Sequence, residues 1–256
     1  MGSEMMEPTK VRRFFFTGTD TDVGKTYVAS LAVREMAHSG QSVAVYKPVA
    51  SGCRIAGEED RRVLGDTIGD GGRISGDAIS LWEASGRRGD LRSVCPQLFL
   101  APLAPSTAAM AEGCRVDESL LIDGLASVVD GADVVVVEGA GGLLSPLSER
   151  MLNSDLAAKL EAELIIVAAN RLGVIHQVLA TVLAAKALGL PVTGIVLNTV
   201  SEVADDSVRT NGATIASFTS VPVVAQIAYG ADSTGVDWLS LVSPEKKTPS
   251  LPQAWL

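Results

Sequence analysis

Residues 14–26 read Phe-Phe-Phe-Thr-Gly-Thr-Asp-Thr-Asp-Val-Gly-Lys-Thr, and this stretch decides the fold. The apolar run 11–17 predicts a buried strand, and apolar residues at helical spacing predict a helix over 25–38 that stops at Gly40. A turn between a strand and a helix gathers backbone N–H groups at the positive end of the helix, where an anion binds. Lys25 would place a charge on the β- and γ-phosphates of a nucleotide, and the Thr26 hydroxyl would bind Mg²⁺.

Short apolar runs alternate with helical patterns along most of the chain. This alternation predicts a single doubly wound α/β domain whose mostly parallel sheet is flanked by helices, with the phosphate loop after its first strand. We expect the domain over 10–242 and loosely ordered termini at 1–9 and 243–256. Short helices and loops are expected within 54–105. The other predicted strands are 42–46, 133–137, 164–169, 192–197 and 223–227, and the other predicted helices are 117–129, 154–160, 175–188 and 207–218.

Composition narrows the classes of partner and compartment. The chain has 256 residues and a net charge of −9, without the clustered Lys and Arg that neutralise nucleic-acid phosphates, so we expect no nucleic-acid partner. No apolar run is long enough for a membrane span, and the first residues lack an apolar signal core. The three cysteines, Cys53, Cys95 and Cys114, are odd in number and widely spaced, which favours reduced thiols and a cytoplasmic location.

Two acidic residues and a second lysine are candidates for the same site. Glu138 follows a buried apolar run and precedes Gly139-Ala140-Gly141-Gly142, so it is predicted at the strand tip as a Mg²⁺ ligand, where the glycines let a substrate approach the backbone. Lys47 follows the second strand and either holds an anionic substrate or is a solvated loop lysine; its position leaves both open. From its neighbours alone, Asp77 is typical of a helix N-cap.

Three motifs together resemble the dethiobiotin synthetase family: TGTDTDVGKT at 17–26, YKPVASG at 46–52 and VEGAGGLLSPL at 137–147. Supporting stretches are GDAISL (76–81), APLAPSTAA (101–109), NRLGVI (170–175) and GIVLN (194–198), so the resemblance extends from Phe14 to about Ile227. It implies a P-loop fold and a homodimer. The implied reaction closes a ureido ring on 7,8-diaminononanoate with CO₂ or bicarbonate, using ATP as co-substrate and Mg²⁺ as cofactor.

The resemblance also implies a role for each matching residue. Lys25 and Lys47 would be catalytic, binding phosphates and stabilising the carbamate with the developing phosphoryl charge. Thr21 would act with them, and it and Ser51 would contact the substrate. The remaining implied roles are Mg²⁺ binding by Thr26, Asp77 and Glu138, substrate binding by Gly141, Gly142 and His176, and nucleotide binding by Asp22, Val23, Gly24, Lys25, Thr26, Tyr27 and Asn198, the last of these at the base.

The sequence departs from the family pattern at two places. His176-Gln177 stands where the family has Asn-His, in a segment that reaches across the dimer to the substrate's carboxylate tail. His176 either donates a hydrogen bond there or is a polar residue at a helix start. Near the base site, Ala225-Gln226-Ile227-Ala228 replaces the family's Gly-x-Ile-Pro, so selectivity for adenine over other bases does not follow from the motif.

Other functions compete with the synthetase. A cobyrinate-type amidating synthetase would need a glutaminase domain with a nucleophilic cysteine, for which the chain is too short. A partitioning or scaffold ATPase that switches on nucleotide binding often has a second lysine in its phosphate loop, and residues 18–24 contain none. A third alternative keeps the enzyme fold with a degraded substrate site.

Overall fold

The computed structural model describes residues 11–203 and 205–241, so the expectations for the termini 1–9 and 243–256 lie outside the described residues. The strands are β1 Arg12–Gly18, β2 Val43–Tyr46, β3 Arg54–Ile55, β4 Arg73–Ile74, β5 Val134–Gly142, β6 Glu163–Ala169, β7 Val192–Asn198 and β8 Val223–Ile227. The α-helices are α1 Lys25–His38, α2 Glu58–Leu64, α3 Gly76–Ala84, α4 Leu91–Val94, α5 Pro105–Ala111, α6 Glu118–Asp123, α7 Asn153–Lys159, α8 Val174–Ala187 and α9 Val208–Phe218. Short 3-10 turns occupy Gly65–Thr67, Asp70–Gly72 and Gly124–Ser127.

Six strands form one sheet in the order β2-β5-β1-β6-β7-β8, and every neighbouring pair is parallel. The predicted doubly wound α/β fold is therefore confirmed. β1 lies between β5 and β6, so the loop after β1 opens at the carboxyl ends of the strands, at the point where the strand order reverses. Sheets of this kind bind ligands at that point. The small strands β3 and β4 pair antiparallel outside this sheet, in the region where only short helices and loops were expected.

The two faces of the sheet bury separate apolar cores. Phe14 and Phe16 point to a core shared with α1, α3 and α4, whereas Phe15 points to the core under α5, α6, α7 and α8. All three phenylalanines are 0% exposed, and each contributes about 1.5–3 kcal/mol by burial. The alternation fixes the register of β1 and therefore the position at which its chain turns into the phosphate loop.

The predicted strand 133–137 was too short. β5 continues through Glu138 and the glycines to Gly142, which pairs with Gly18 of β1. Glycine is depleted in strands, so the sequence pattern ends at Val137, but pairing with β1 keeps the segment extended. Glu138 therefore lies inside the strand, paired with Phe16, and not at its tip.

The predicted helix 117–129 was also wrong, because α6 ends at Asp123 and a 3-10 turn follows. The Tyr46 hydroxyl donates to the Leu120 carbonyl at 2.7 Å, and a Cβ at Gly124 would lie 2.4 Å from the Tyr46 oxygen. The buried tyrosine thus occupies the space beside the last helical turn. The other predicted bounds agree with the structure to within one residue, and Gly40 ends α1 as expected, with φ +87.

Within the described ranges, none of the helices combines the length and the apolar character needed to cross a bilayer.

Candidate active site

The phosphate loop joins β1 to α1 and depends on two glycines. Gly24 has φ +82, a left-handed conformation, and a Cβ there would lie 2.2 Å from Asn198 Nδ2. A Cβ at Gly18 would lie 2.5 Å from the Asp20 carbonyl oxygen and 3.2 Å from Lys25 Nζ. Only glycine fits either position, and the chain then enters α1 with Lys25 and Thr26 in its first turn.

Four side chains from four different segments meet beside this loop. Glu138 Oε1 accepts hydrogen bonds from Thr26 Oγ1 at 2.8 Å and from Lys47 Nζ at 2.5 Å. Lys47 Nζ also pairs with Asp77 Oδ2 at 2.9 Å. Lys47 and Glu138 are 3% and 1% exposed, so Lys47 is not the solvated loop lysine that its sequence position left open.

Burial and charge act in opposite directions on the two lysines. Burial is the main reason that the pKa of Lys25 is lowered; the neighbouring Lys47 adds to this, and Glu138 opposes it. Burial would also lower the pKa of Lys47, but the carboxylates of Glu138 and Asp77 outweigh it and raise that pKa. Lys47 is therefore held as a cation in a site from which water is largely excluded.

Asp77 is not the helix N-cap that its neighbours predicted. Ser75 caps α3, its Oγ accepting a hydrogen bond from the Ala78 N–H at 3.3 Å. Asp77 lies in the first turn of α3, where its side chain is free to pair with Lys47. Burial would raise the pKa of Asp77, but the charge of Lys47 and hydrogen bonds from Lys47 and Thr26 lower it, so the carboxylate stays ionised.

The donor set suits a hard cation such as Mg²⁺. Glu138 Oε2 is buried and has no hydrogen-bond partner among the described residues, and Thr26 Oγ1 binds the other oxygen of the same carboxylate. The part of the chain that the structure describes has no group of three or more His, Cys, Asp or Glu able to hold a metal alone. Two carboxylates and a hydroxyl are instead the incomplete set that Mg²⁺ uses when phosphates and water complete its shell.

A residue that the sequence reading missed supports the glycine stretch of β5. Asn153 is 0% exposed; its Nδ2 donates to the Ala140 and Gly142 carbonyls at 2.7 and 2.8 Å, and its Oδ1 accepts from the Ala140 N–H. These bonds fix the backbone of Gly141 and Gly142 beside Gly18. The only signal was an asparagine just before an apolar helical segment, a pattern that usually indicates a cap.

Asn198, at the end of β7, reaches the phosphate loop. Its Nδ2 donates to the Val23 carbonyl at 3.0 Å, and its Oδ1 is buried without a hydrogen-bond partner in the described ranges. A buried acceptor of this kind is costly unless a ligand donates to it. Ala225 is buried within β8, so it contributes packing, whereas Ala228 is exposed just after that strand.

The remaining predicted residues lie around this cluster with fewer contacts. Thr21 is exposed and its N–H donates to Asp20 Oδ1 at 2.7 Å, Ser51 is partly buried, and His176 is exposed in the first turn of α8. Asp22 and Tyr27 are exposed at the two sides of the loop, and Asp22 adopts φ +54. Lys25, Thr26, Lys47, Asp77, Glu138 and Asn198 thus lie close together, and within 11–203 and 205–241 no hydrogen bond joins the outer residues to them.

A cavity of about 350 Å³ lies elsewhere, between α5, the start of α6 and residues 148–150. Ser148, Glu118, Arg115 and Arg150 are among its lining residues. None of the residues that line it belongs to the cluster around Lys47, so the candidate site rests on the chemistry of the phosphate loop and not on cavity size.

A parallel sheet with a strand–loop–helix phosphate site and an acidic residue on the neighbouring strand defines a P-loop mononucleotide-binding protein. In agreement, a family model described as "AAA domain" matches residues 12–236. Among solved structures, the cell division protein FtsY from Thermotoga maritima superimposes with a TM-score of 0.50 at 14% identity, covering 89% of this chain and 65% of that one, which shows the fold alone.

Curated relatives are more specific. The ATP-dependent dethiobiotin synthetase BioD of Rhodopirellula baltica is 45% identical over 84% of this chain and 83% of its own length. The enzymes of the same name from Anaeromyxobacter dehalogenans strain 2CP-C and Bacillus subtilis strain 168 are 40% and 34% identical, over 87% and 84% of this chain and 92% and 86% of theirs. The chain belongs to the family of ATP-dependent dethiobiotin synthetases, and the resemblance seen in the three motifs is confirmed.

Proposed function

We propose that the protein is an ATP-dependent dethiobiotin synthetase, a cyclo-ligase of biotin biosynthesis that converts 7,8-diaminononanoate, CO₂ and ATP into dethiobiotin, ADP and phosphate. One observation carries the proposal beyond family membership: Lys47 and Thr26 share Glu138 Oε1, which joins the phosphate loop to a second buried cation. A switch ATPase often carries its second lysine inside the phosphate loop, whereas Lys47 lies after β2, where it can neutralise charge on a carbamate and on the transferred phosphoryl group.

In the proposed complex, the triphosphate lies along the backbone of residues 22–27 with Lys25 at the β- and γ-phosphates. The net charge of −9 repels anions at long range, so local N–H groups and Lys25 provide the attraction. The lowered pKa of buried Lys25 reflects a cation that lacks full compensation, and the phosphates supply it. The free Asn198 Oδ1 is the acceptor for a base that carries an amino group, as adenine does.

The chemistry begins when one uncharged amine of the substrate attacks CO₂ and releases a proton to solvent, which gives a carbamate, with Thr21 and Ser51 contacting the substrate. A carbamate oxygen then attacks the γ-phosphorus, the bond from that phosphorus to the β–γ bridging oxygen breaks, and ADP leaves. The second amine attacks the carbamoyl carbon, loses its proton and expels phosphate as the ring closes. Lys47 stabilises the negative charge that the carbamate and the phosphoryl oxygens carry, and the reaction needs positioning and charge neutralisation more than a protein nucleophile.

Thr26, Asp77 and Glu138 would hold Mg²⁺. The unpartnered Glu138 Oε2 and the adjacent hydroxyl of Thr26 support this assignment. When bound, the ion would neutralise charge on the β- and γ-phosphates. The backbone of Gly141 and Gly142, fixed by Asn153, would line the substrate site beside Gly18.

A homodimer and a cytoplasmic location are also part of the proposal. Helix α8 carries His176 and exposes Leu183, which is 59% exposed, and Leu172 just before the helix is 82% exposed. An apolar surface next to a substrate residue supports pairing of two copies there, with His176 reaching the tail of the partner's substrate. Sedimentation equilibrium tests this point: a mass of one chain would contradict it. Three free thiols and the use of ATP support the cytoplasmic location.

Phosphate release tests the function as a whole. Purified protein is given ATP and Mg²⁺ with diaminononanoate and bicarbonate together, and with each omitted in turn. We expect release only when both are present, with dethiobiotin formed in equal amount. Hydrolysis that ignores the diamine would indicate a switch ATPase, and binding of ATP without release would indicate a degraded substrate site.

A further inference from the structure

Residues 54–75 form an excursion that begins and ends next to predicted site residues. β3 starts at Arg54, shortly after Ser51, and β4 ends at Ile74, shortly before Asp77. The two strands pair with each other, and the Ala56 N–H donates to the Gly72 carbonyl at 2.8 Å. The position of β4 therefore sets where α3 begins and where Asp77 lies.

A second segment supports the backbone that carries Lys47. The Lys47 N–H donates to the Val94 carbonyl at 2.8 Å, and the Ala50 N–H donates to the Gln97 carbonyl at 2.9 Å. The pairing continues in the other direction when the Phe99 N–H donates to the Ala50 carbonyl at 2.9 Å. Residues 94–99 thus hold the segment from Lys47 to Ser51 in place.

One charged pair joins two units: the excursion 54–75 that precedes Asp77, and the segment 94–99 that supports Lys47. Arg73 Nη1 donates to the Leu98 carbonyl at 2.7 Å and pairs with Glu112 Oε2 at 2.5 Å. Glu112 Oε1 accepts from the Leu100 N–H at 2.6 Å. The side chains of Arg73 and Glu112 are 30% and 17% exposed, so solvent screens this pair less than a surface pair. Burial would raise the pKa of Glu112, but the hydrogen bond from the Leu100 N–H and the pairing with Arg73 lower it, so this carboxylate stays ionised.

We infer that Arg73 is a positioning residue for the reaction: by tying β4 to residues 98–100 through Glu112, it sets the separation between Asp77 and Lys47. That 2.9 Å contact is made across the two units that Arg73 connects. Displacement of a reacting group by about 1 Å can reduce a rate by about 10²-fold, so a residue outside the site can control it. The inference rests on the proposed function, since Asp77 and Lys47 are its metal ligand and catalytic cation.

The kinetic test uses Arg73→Met, which keeps the apolar stem and removes the charge, in the full-length protein. We expect kcat to fall about 10- to 100-fold with KM for ATP within twofold of the original. Arg73→Lys, which restores the charge opposite Glu112, should recover part of the loss. Arg62→Met is the matched control, because it breaks the exposed pair of Arg62 with Glu59 in the same excursion and should leave kcat unchanged.

A double-mutant cycle separates positioning from general damage. In an Asp77→Asn background, Arg73→Met should lower kcat little further, because Arg73 acts through Asp77. An equal loss in both backgrounds, or a loss confined to KM for ATP, would overturn the inference. Normal kcat in Arg73→Met would overturn it as well.

Hydrogen exchange provides a readout that does not depend on turnover. Arg73→Met should raise amide exchange in peptides covering 73–80 and 96–101, and Arg62→Met should not. Unchanged exchange in those peptides overturns the inference even if the protein has no synthetase activity. Absence of diamine-dependent phosphate release in the unmodified protein contradicts the proposed function alone, so the two failures are distinguishable.

Discussion

The inner and outer parts of the candidate site differ in how their side chains are held. In the inner part, Lys25 and Thr26 begin α1, Lys47 follows β2 and Glu138 lies in β5, and three of these four residues are buried. In the outer part, Thr21 and His176 are exposed and make no hydrogen bond to the inner cluster within the described ranges. The inner part is thus organised by its own contacts, and under the proposed function we expect substrate, nucleotide or a second copy to complete the outer part.

This difference indicates that the inner part stabilises charge and the outer part selects the substrate. Groups that stabilise charge work best when they are fixed and shielded from water, because no reorganisation is then needed during the reaction. Groups that select the substrate must admit it, so they remain accessible. Variants of the inner part should therefore change kcat strongly, and variants of the outer part should change KM modestly.

The largest effect is expected for Lys25→Ala. Loss of the phosphate-binding charge should lower kcat/KM about 10³-fold or more. The fold should persist, because Gly18, Gly24 and the hydrogen bond from Asn198 to the Val23 carbonyl support the loop. Steady-state kinetics and circular dichroism check this result. Lys159→Ala, at an exposed position of α7, is the control. Near-normal turnover in Lys25→Ala would remove the phosphate-loop assignment.

A somewhat smaller loss is expected for Lys47→Met, at about 10²-fold in kcat with ATP affinity little changed. The melting temperature should also fall, because Glu138 then remains as a buried charge without its partner. Turnover measured well below that temperature, together with nucleotide titration, separates the two effects. A change confined to ATP affinity would make Lys47 a nucleotide-binding residue and not a catalytic one.

For the outer part, His176→Ala should raise KM for the diamine about 10-fold, near the lower limit for one hydrogen bond to a carboxylate, because His176 is exposed to solvent. kcat should remain close to that of the unmodified protein. If His176 is only a polar residue at a helix start, KM will not change, and if kcat falls instead, the division between the two parts fails.

The smallest effect concerns the thiols. Burial raises the pKa of Cys53 to about 11 and also raises that of Cys95, so both stay protonated and unreactive at neutral pH. Cys114 is exposed. A thiol reagent should therefore label one thiol per native chain without loss of activity, and reactivity of the other two should appear only when the pH rises toward their pKa values. Rapid labelling of all three thiols at neutral pH would contradict the burial of Cys53 and Cys95.

The sequence predicted where Lys25, Thr26 and Glu138 lie, because each follows a recognisable local pattern, but it left the role of Lys47 open. The strand–turn–helix pattern around Lys25 and the apolar run before Glu138 each predict an element, and parallel strands bring their carboxyl ends to one edge. The six strands of the parallel sheet, apart from the length of β5, and the placement of Lys25, Thr26 and Glu138 on one side of it followed from these patterns.

Other features depended on long-range contacts that no local pattern contains. Pairing with β1 carries β5 past its glycines, the Tyr46 side chain fills the space beside the end of α6, and Ser75 takes the capping role that leaves Asp77 free. Asn153 and Arg73 act through carbonyl groups distant in sequence. Tertiary packing overrides local preference at each of these positions, so only the structure reveals them.

The central claim is that a carbamate attacks the γ-phosphorus within this cluster, and oxygen transfer tests it most directly. The protein is mixed with diaminononanoate, ATP, Mg²⁺ and freshly dissolved ¹⁸O-labelled bicarbonate, and the phosphate is analysed by mass spectrometry before the label exchanges with water. We expect one labelled oxygen in each phosphate released, because the carbamate oxygen that attacks leaves with the phosphoryl group. Phosphate that contains only unlabelled oxygen would show that water attacked ATP, and would contradict the account.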